Sequence, residues 1–286
     1  MNTTEVTAPI AVVGATGQQG SATVDALLDR QIAVRALTRN ADSGAARALA
    51  ERGVAVVAAD LEAPESIRSA FEGAGAGFAM TTVTGPRGTE SEISHGKAIA
   101  DAAQGAQLPF LVYSSVGGAD RNTGIPHFES KRRVEEFLMG SVPVTFVRPT
   151  FFMENLFAMI ARDDDQLLVR MPMPGDVPLQ MISVRDIGKA AATLLAQRDP
   201  DAAPVEIAGD EVTGERIAQL VSHRLGAPAT FIQVPLDVLG PNDDVKSMFR
   251  WFATPPSYRA DFGRTRELVP DAEDLPRWLA RQSDLG

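Results

Sequence analysis

The stretch PIAVVGATGQQGSATVDALL, residues 9–28, places Gly14, Gly17 and Gly20 between an apolar run and a segment with helical spacing. In a strand–turn–helix unit, such glycines permit a tight turn, a close backbone approach to a pyrophosphate and close packing of the helix on the sheet. The N-terminus of the following helix also offers free N–H groups and a partial positive charge to phosphates. The spacing is G-x-x-G-x-x-G rather than the commoner G-x-G-x-x-G, so a purely structural turn is the alternative to a nucleotide-binding one.

Short β-branched runs alternate with helical patterns through the first half of the chain. After the first run come IAVRALT (32–38), VAVVAAD (54–60), GFAMTTV (77–83), FLVYSS (110–115) and VTFVRP (144–149). Such alternation predicts an α/β fold with a Rossmann-like, doubly wound parallel sheet. We expect residues 1–150 to form an NAD(P)-binding Rossmann domain and residues 151–286 a smaller, mixed C-terminal substrate or lid region. Within it, about residues 180–208 should return to the Rossmann core, with Val205–Ile207 as a strand, and Thr213 should cap a helix.

The composition excludes several classes of protein. Hydrophobic residues make up 44% and charged residues 22% of the 286 residues, as in ordinary globular proteins. No apolar run approaches the ~20 residues that span a bilayer, and the N-terminus lacks the pattern of a secretory signal, so we expect a cytoplasmic protein without a membrane partner. The chain has no cysteine, so we expect no metal site and assign any redox chemistry to a bound cofactor. Its net charge of -10 disfavours a nucleic-acid partner.

The residues that follow the second and third strands indicate which dinucleotide is preferred and where its adenine lies. A NAD-preferring site usually places an acidic residue after the second strand to bind the ribose hydroxyls, whereas this chain has Arg39. A guanidinium there suits a ribose 2′-phosphate, so we expect NADP(H) to be preferred over NAD(H). The alternative is a solvent-facing arginine or one paired with Asp42. After the third strand, Asp60 and Leu61 lie where a loop flanks the adenine, although Asp60 fits a helix N-cap equally well.

An ordered series of segments resembles the NmrA-like family, atypical members of the short-chain dehydrogenase/reductase superfamily. The segments are VVGATGQQG, VRALTRN, AADLEAPESI, FAMTTV, HFESKRRVEEFL and VTFVRPTFFMENL, and the likeness extends over about residues 8–235. The resemblance implies a Rossmann fold, a cofactor cleft and a small C-terminal substrate region. The family includes NADP-binding redox sensors, quinone reductases and triphenylmethane-dye reductases.

The resemblance also implies which residues contact the cofactor. Those expected at the pyrophosphate are Gly14, Ala15, Thr16, Gly17, Gln18 and Gln19, with Gly20 completing the turn, and Arg39 is expected at the 2′-phosphate. Those expected elsewhere are Asp60 and Leu61 at the adenine, Thr81, Thr82 and Val83 along the ribose and nicotinamide side, Lys131 at the nicotinamide ribose, and Phe152, Met153, Glu154 and Asn155 around the nicotinamide. Two departures from relatives affect this assignment. Ser94 stands where some relatives have a lysine, and the FFMENL stretch is one residue longer than in some of them, which shifts positions there by one.

The usual proton donor of short-chain dehydrogenases is missing from the sequence. These enzymes use Tyr-x-x-x-Lys, but neither Tyr113 nor Tyr258 has a lysine four residues later. The segment HFESK instead spaces His127 and Lys131 four apart, on one face if the segment is helical. His127 is a substrate-site donor or a packing residue, and Lys131 is expected to bind ribose hydroxyls.

A serine at the end of the fifth strand suits a substrate contact. We prefer Ser114 to Ser115 for this role, and a hydrogen bond at the strand end is the alternative.

These residues favour acceptors that form stabilised products without a strong enzymic acid. Reduction of a quinone gives a hydroquinone with acidic hydroxyls, and a cationic dye is neutralised by a hydride alone. A group of aromatic and methionine side chains is available for a flat apolar pocket, and the alternative is that they belong to the core. The residues are Phe151, Phe152, Met153, Phe157, Phe249, Trp251 and Phe252. We therefore expect an NADPH-dependent oxidoreductase acting on a small apolar or aromatic, quinone-like or otherwise conjugated acceptor. The alternative is a non-catalytic NADP(H) sensor with a protein partner, and the sequence leaves the oligomeric state open.

Overall fold

Thirteen strands lie within residues 8–283, the residues that this computed structural model describes. The strands are β1 (Ile10–Val13), β2 (Val34–Thr38), β3 (Ala55–Ala58), β4 (Ala76–Met80), β5 (Leu111–Ser114), β6 (Val144–Pro149), β7 (Phe151–Phe152), β8 (Ile160–Asp163), β9 (Gln166–Met171), β10 (Pro178–Ile182), β11 (Val205–Ile207), β12 (Asp210–Thr213) and β13 (Ala229–Gln233). The helices are α1 (Gln18–Leu28), α2 (Gly44–Glu51), α3 (Pro64–Phe71), α4 (Thr89–Gly105), α5 (Pro126–Met139), α6 (Val184–Gln197), α7 (Gly214–Leu225), α8 (Asp243–Phe252), α9 (Phe262–Leu268) and α10 (Leu275–Arg281).

The main sheet has seven parallel strands in the order β11-β6-β5-β4-β1-β2-β3. The predicted Rossmann-like, doubly wound fold is therefore confirmed. The chain proceeds outward from β1 in one direction through β2 and β3, and in the other direction through β4, β5 and β6. In such sheets a crevice opens at the carboxyl ends of the strands where the order reverses. Here that point lies between β1 and β4.

The glycine turn sets how closely α1 approaches β1. Gly14 adopts a positive φ of 66°, which a side chain would strain. A Cβ on Gly20 would lie 2.1 Å from the Gly14 carbonyl oxygen, so only glycine lets the helix reach this position. Gly17 is the N-cap of α1 and supplies no side-chain cap, which leaves the first N–H groups of the helix facing the crevice.

Part of the second half of the chain completes the main sheet. β11 pairs in parallel with β6, and α6 packs directly on α1. The two helices come close because Gly188 has no side chain, since a Cβ there would lie 2.3 Å from the Ala22 carbonyl oxygen.

The remaining C-terminal elements form a second core beside the crevice. It contains two three-stranded sheets, in the orders β12-β10-β7 and β13-β9-β8, among the described residues. Its centre is aromatic, with Phe252 and Trp278 fully buried. The cap predicted at Thr213 is confirmed, because its side chain accepts a hydrogen bond from the Arg216 N–H at 3.2 Å at the start of α7. Within residues 8–283, no helix has the length and apolarity to cross a membrane.

Replacing Gly188 tests the close contact between α1 and α6. We expect Gly188→Ala to lower the free energy of unfolding by roughly 1–3 kcal/mol, because the added methyl group forces the helices apart. Gly44→Ala is the matched control, since Gly44 begins a helix and a Cβ there meets nothing within 4 Å. Urea unfolding followed by circular dichroism measures both variants. Equal stability of the two would contradict this packing.

Candidate active site

A cleft of about 1290 Å³ lies at the carboxyl ends of the main-sheet strands. The glycine turn lies at its centre, between the ends of β1 and β4. Arg39, after β2, and Asp60, after β3, line one half of the cleft. Thr81, after β4, and Ser115, after β5, line the other half, together with Lys131 of α5. The volume exceeds the roughly 300–1,000 Å³ of ordinary small-molecule pockets, so an extended ligand fits along it.

The structure places most of the predicted pyrophosphate-binding turn on this cleft. The lining residues from this segment are Gly14, Thr16, Gly17, Gln18, Gln19 and Gly20. Ala15 is the exception, because its methyl group is fully buried in the core beneath the turn. The uncapped N-terminus of α1 and the absence of a side chain at Gly17 leave room and N–H donors for an anionic group. The turn therefore fits a dinucleotide pyrophosphate.

The half of the cleft beyond β2 and β3 contains an unpaired cation. Arg39 is exposed and forms no ion pair with any residue of the described part of the chain, so the alternative pairing with Asp42 does not occur. Asp60 lines the cleft, and its carboxylate accepts a hydrogen bond from the Glu62 N–H at 3.1 Å. The N-cap of α3 is Ala63, so Asp60 is not that cap. Leu61 lies beside Asp60 on the cleft wall.

Lys131 lies in a buried polar cluster where β4, α4 and α5 meet. Its Nζ is 3.1 Å from Glu92 Oε1 and donates to the Thr81 carbonyl oxygen at 2.6 Å. Glu92 also accepts from the hydroxyls of Thr81 and Ser130. Burial works against the ammonium charge, but Tyr113 and Glu92 beside it more than offset this and raise the pKa of Lys131. Lys131 is therefore a fixed cation at neutral pH, and it lines the cleft as predicted.

The fold brings together a tyrosine and a lysine that the sequence separates. Tyr113 of β5 has its hydroxyl 2.6 Å from Thr81 Oγ1 and 3.5 Å from Lys131 Nζ. Its side chain is fully buried, and it does not line the cleft. Burial raises the pKa of Tyr113 to about 12. The Tyr113 hydroxyl thus contacts Lys131 within the buried cluster and does not reach a ligand in the cleft.

Two adjacent serines at the end of β5 point in different directions. Ser114 is fully buried, donates to Gln19 Oε1 at 2.6 Å and does not line the cleft, so the preference for Ser114 over Ser115 is not supported by its position. Side chains alternate across a strand, so the next residue faces the other way. Ser115 lines the cleft, and its buried Oγ has no hydrogen-bond partner within residues 8–283. Ser115 is therefore the serine available to a ligand.

His127 and Lys131 lie one turn apart on α5, as their spacing predicted, and both line the cleft. The sequence analysis did not identify the partner of His127. Asp244 Oδ1, at the start of α8, lies 2.7 Å from His127 Nδ1 and accepts the His127 backbone N–H at 3.1 Å. No local pattern indicates this pair, because the two residues are 117 positions apart.

The segment after β6 divides between the cleft and the core. Phe152 and Asn155 line the cleft, whereas Met153 is fully buried and Glu154 faces away from it. Glu154 accepts hydrogen bonds from the Val184 N–H and the Trp278 indole N–H. Burial raises the pKa of Glu154 despite these bonds. The assignment of Met153 and Glu154 to the nicotinamide is thus corrected. The two residues begin the 3-10 helix Met153–Ala158, and neither lines the cleft.

The apolar wall of the cleft differs in part from the predicted one. Thr82 and Val83 line the cleft, as do Phe151 and Phe152. Of the other predicted pocket residues, those packed elsewhere are Met153, Phe157, Phe249, Trp251 and Phe252. The cleft is lined instead by Phe128, Met248 and Tyr258, which the sequence analysis did not select.

Comparisons of the sequence with known proteins find redox enzymes. The model of the NmrA-like family matches residues 7–267. An NmrA-like family domain-containing oxidoreductase, FrzB from Cladobotryum sp., is 36% identical over 161 residues, and the match covers 52% of this chain but only 48% of that protein. A NAD(P)H azoreductase from Xenophilus azovorans is 29% identical over 235 residues, covering 80% of this chain and 78% of that protein.

Comparisons of the structure find the same fold in NAD(P)-binding proteins. NmrA, a negative transcriptional regulator solved with NADP, has a TM-score of 0.81 and 22% identity, covering 96% of this chain and 95% of its own. The Citrobacter sp. triphenylmethane reductase with NADP(H) has a TM-score of 0.80 and 20% identity, covering 96% and 100%. The Escherichia coli quinone oxidoreductase QOR2 with NADPH has a TM-score of 0.77 and 20% identity, covering 95% and 98%. At these identities the likeness is one of fold.

Removing one member of the Lys131–Glu92 pair tests the buried cluster. We expect Lys131→Met to lower the free energy of unfolding by about 3–5 kcal/mol, because it leaves the Glu92 carboxylate buried and unpaired. The double variant Glu92→Gln/Lys131→Met should recover most of this loss. Arg52→Met, which breaks the exposed Arg52–Asp25 pair, is the control and should cost less than about 1 kcal/mol. Urea unfolding measures all three, and a loss in Lys131→Met no larger than in the control would contradict the assignment.

Proposed function

This chain belongs to the NmrA-like family, and on that premise we propose that it is an NADPH-dependent oxidoreductase that passes hydride to a quinone-like or other conjugated acceptor. One observation carries the proposal: a single cleft joins a phosphate-binding glycine turn to an apolar pocket with few polar groups. A cofactor in the first part and a flat acceptor in the second would meet at the ends of β4 and β5.

The residues present fit a nicotinamide dinucleotide. The N–H groups at the start of α1 would hold the pyrophosphate, and Asp60 and Leu61 would flank the adenine. The Lys131 ammonium would donate to the ribose hydroxyls on the nicotinamide side. Ser115 Oγ, which has no hydrogen-bond partner among the described residues, would be free to bind the ligand at the end of β5. When bound, the reduced nicotinamide supplies the hydride. The protein supplies the position of the ring and an apolar wall beside it.

Arg39 supports NADP(H) as the preferred form. Its guanidinium lies on the cleft after β2, exposed and unpaired within the described residues, where the ribose 2′-hydroxyl of a dinucleotide is expected. A 2′-phosphate would gain charge-assisted hydrogen bonds from it, and a free hydroxyl would gain little.

The pocket beside the nicotinamide position favours an aromatic acceptor. Phe151 and Phe152 come from β7, Met248 from α8 and Tyr258 from the segment after it. Aromatic and methionine side chains offer broad, polarizable surfaces to a flat ring system. Related proteins named as azoreductase, triphenylmethane reductase and quinone oxidoreductase also support a conjugated acceptor in this cleft.

Exchanging Arg39 tests the cofactor preference. One charge-assisted hydrogen bond is worth roughly 1.5–3 kcal/mol, so we expect Arg39→Ala to weaken NADPH binding about tenfold or more. NADH binding should remain within about twofold. Arg47→Ala is the control, because Arg47 binds the Asp42 carbonyl oxygen and does not line the cleft. Calorimetry measures all the affinities, and an equal loss for both cofactors in Arg39→Ala would contradict the assignment.

Turnover tests the activity itself. We expect the purified protein to oxidise NADPH when a quinone, an azo dye or a cationic triarylmethane dye is added. One equivalent of acceptor should be reduced by two electrons for each NADPH, which takes the azo dye to its hydrazo form. Absorbance at the nicotinamide band and at the dye band measures the two together. Tight NADPH binding without oxidation by any of these acceptors would favour a cofactor-sensing role and contradict the enzymatic one.

A further inference from the structure

The His127–Asp244 pair fixes one side of an imidazole ring that faces the cleft. Asp244 Oδ1 accepts two hydrogen bonds, from the His127 backbone N–H at 3.1 Å and from the ring at Nδ1 at 2.7 Å. Both side chains are about four-fifths shielded, with exposures of 20% and 23%. A ring held at its backbone and at Nδ1 by the same oxygen has little freedom to turn.

The charge of Asp244 decides where the proton of a neutral ring lies. Burial works against this charge, but the hydrogen bonds and the ring of His127 outweigh it and lower the pKa of Asp244. An ionised carboxylate only accepts, so Nδ1 must be the protonated nitrogen of the neutral ring. In a doubly protonated ring, Nε2 carries the second proton.

Nε2 is the free end of this ring. It forms no hydrogen bond with any residue in the described part of the chain, and His127 lines the cleft. Its surroundings are those of the acceptor pocket: Lys131 follows one turn later on α5, and Met248 follows Asp244 by one turn on α8. The ring therefore lines the part of the cleft in which the proposed function places the acceptor.

We propose that His127 Nε2 donates the proton that completes acceptor reduction, with Asp244 as the residue that positions the ring. The inference rests on the proposed function. The acceptor gains a hydride from the reduced nicotinamide and a proton from Nε2, and it is thereby reduced by two electrons while the nicotinamide is oxidised. Donation starts from the doubly protonated ring: the N–H bond at Nε2 breaks, the acceptor takes that proton, and the ring is left neutral with its remaining proton on Nδ1. A proton from the solvent then returns the ring to its doubly protonated form.

The same cleft contains a matched imidazole–carboxylate pair without this placement. His95 Nε2 lies 2.7 Å from Glu62 Oε1, with His95 on α4 and Glu62 in the loop after β3. Glu62 follows the expected adenine contacts Asp60 and Leu61, so this pair belongs to the opposite half of the cleft. His95 is therefore the control for general effects of losing a histidine at the cleft.

The acceptor itself separates proton donation from other roles. A cationic triarylmethane dye is neutralised by hydride alone, whereas an azo group needs a hydride and a proton on its two nitrogens. With NADPH saturating and single turnovers observed, we expect His127→Gln to slow azo reduction by roughly 100-fold or more. Reduction of the cationic dye should change less than threefold, and quinones, whose reduced forms are weakly basic, should show an intermediate loss. His95→Gln should leave the ratio of the azo rate to the cationic-dye rate unchanged.

A second readout needs no turnover. The chain has three histidines, so the ring nitrogens can be assigned in ¹⁵N–¹H spectra of the cofactor-free protein with His95→Gln and His127→Gln. We expect the neutral His127 ring to carry its proton on Nδ1, and Asp244→Asn to shift the ring toward the Nε2–H form that free imidazole side chains favour. Asp244→Asn should also lower the ratio of the azo rate to the cationic-dye rate, by less than His127→Gln does.

Three results would overturn the inference. They are an Nε2–H tautomer in the unmutated protein, equal slowing of both dyes in His127→Gln, and no slowing of azo reduction in that variant. A protein that reduces no acceptor at all would instead contradict the proposed function, and the tautomer would still decide whether Asp244 positions the ring.

Discussion

The absence of a side chain at Gly20 is the constraint on which the cleft depends. It allows α1 to pack against the end of β1, where any Cβ would meet the Gly14 carbonyl oxygen at 2.1 Å. The uncapped start of α1 consequently lies at the reversal point of the sheet, where the strand ends converge. The same approach brings Gln19 to Ser114 and lets α6 close over α1 at Gly188. Gly20 thus sets the position of α1 on β1, and Gly188 sets how closely α6 packs on α1.

The charged groups of the cleft are held in two different ways. In the half beside β4 and β5, Lys131 is paired with Glu92 and His127 with Asp244, each partner coming from another element. Fixed partners set the direction and the charge of a side chain before a ligand arrives, which is the preorganisation that catalytic groups need. In the half beyond β2 and β3, His95 is likewise paired with Glu62, whereas Arg39 has no partner among the described residues and is left for an anionic ligand. The unpaired Arg39 and the fixed partners of Lys131 and His127 support the proposed function.

The sequence predicted the features that depend on local pattern and missed those that depend on distant contacts. The six strands of the first half, the parallel sheet and the glycine turn follow from short periodicities, and all appear in the structure. The preference for Ser114 over Ser115 is not supported, because a strand pattern does not reveal which of two adjacent residues faces the cleft. The His127–Asp244 pair lies beyond any local pattern, because α8 reaches α5 only through the packing of the aromatic core of the C-terminal region. The two small sheets of that region were also missed. Most of their strand pairs join segments far apart in the chain, and the local β8–β9 hairpin, with its turn at Asp164 and Asp165, was not predicted either.

Hydride transfer from the cofactor is the central claim, and isotope labelling tests it most directly. NADPH carrying deuterium at both positions of nicotinamide C4 is mixed with the protein and a cationic triarylmethane dye, and the reduced dye is analysed by mass spectrometry. The account predicts one deuterium on the central carbon of each reduced dye molecule and a primary isotope effect on the single-turnover rate. Reduced dye without the label, or bound NADPH that leaves the dye unchanged, would contradict it.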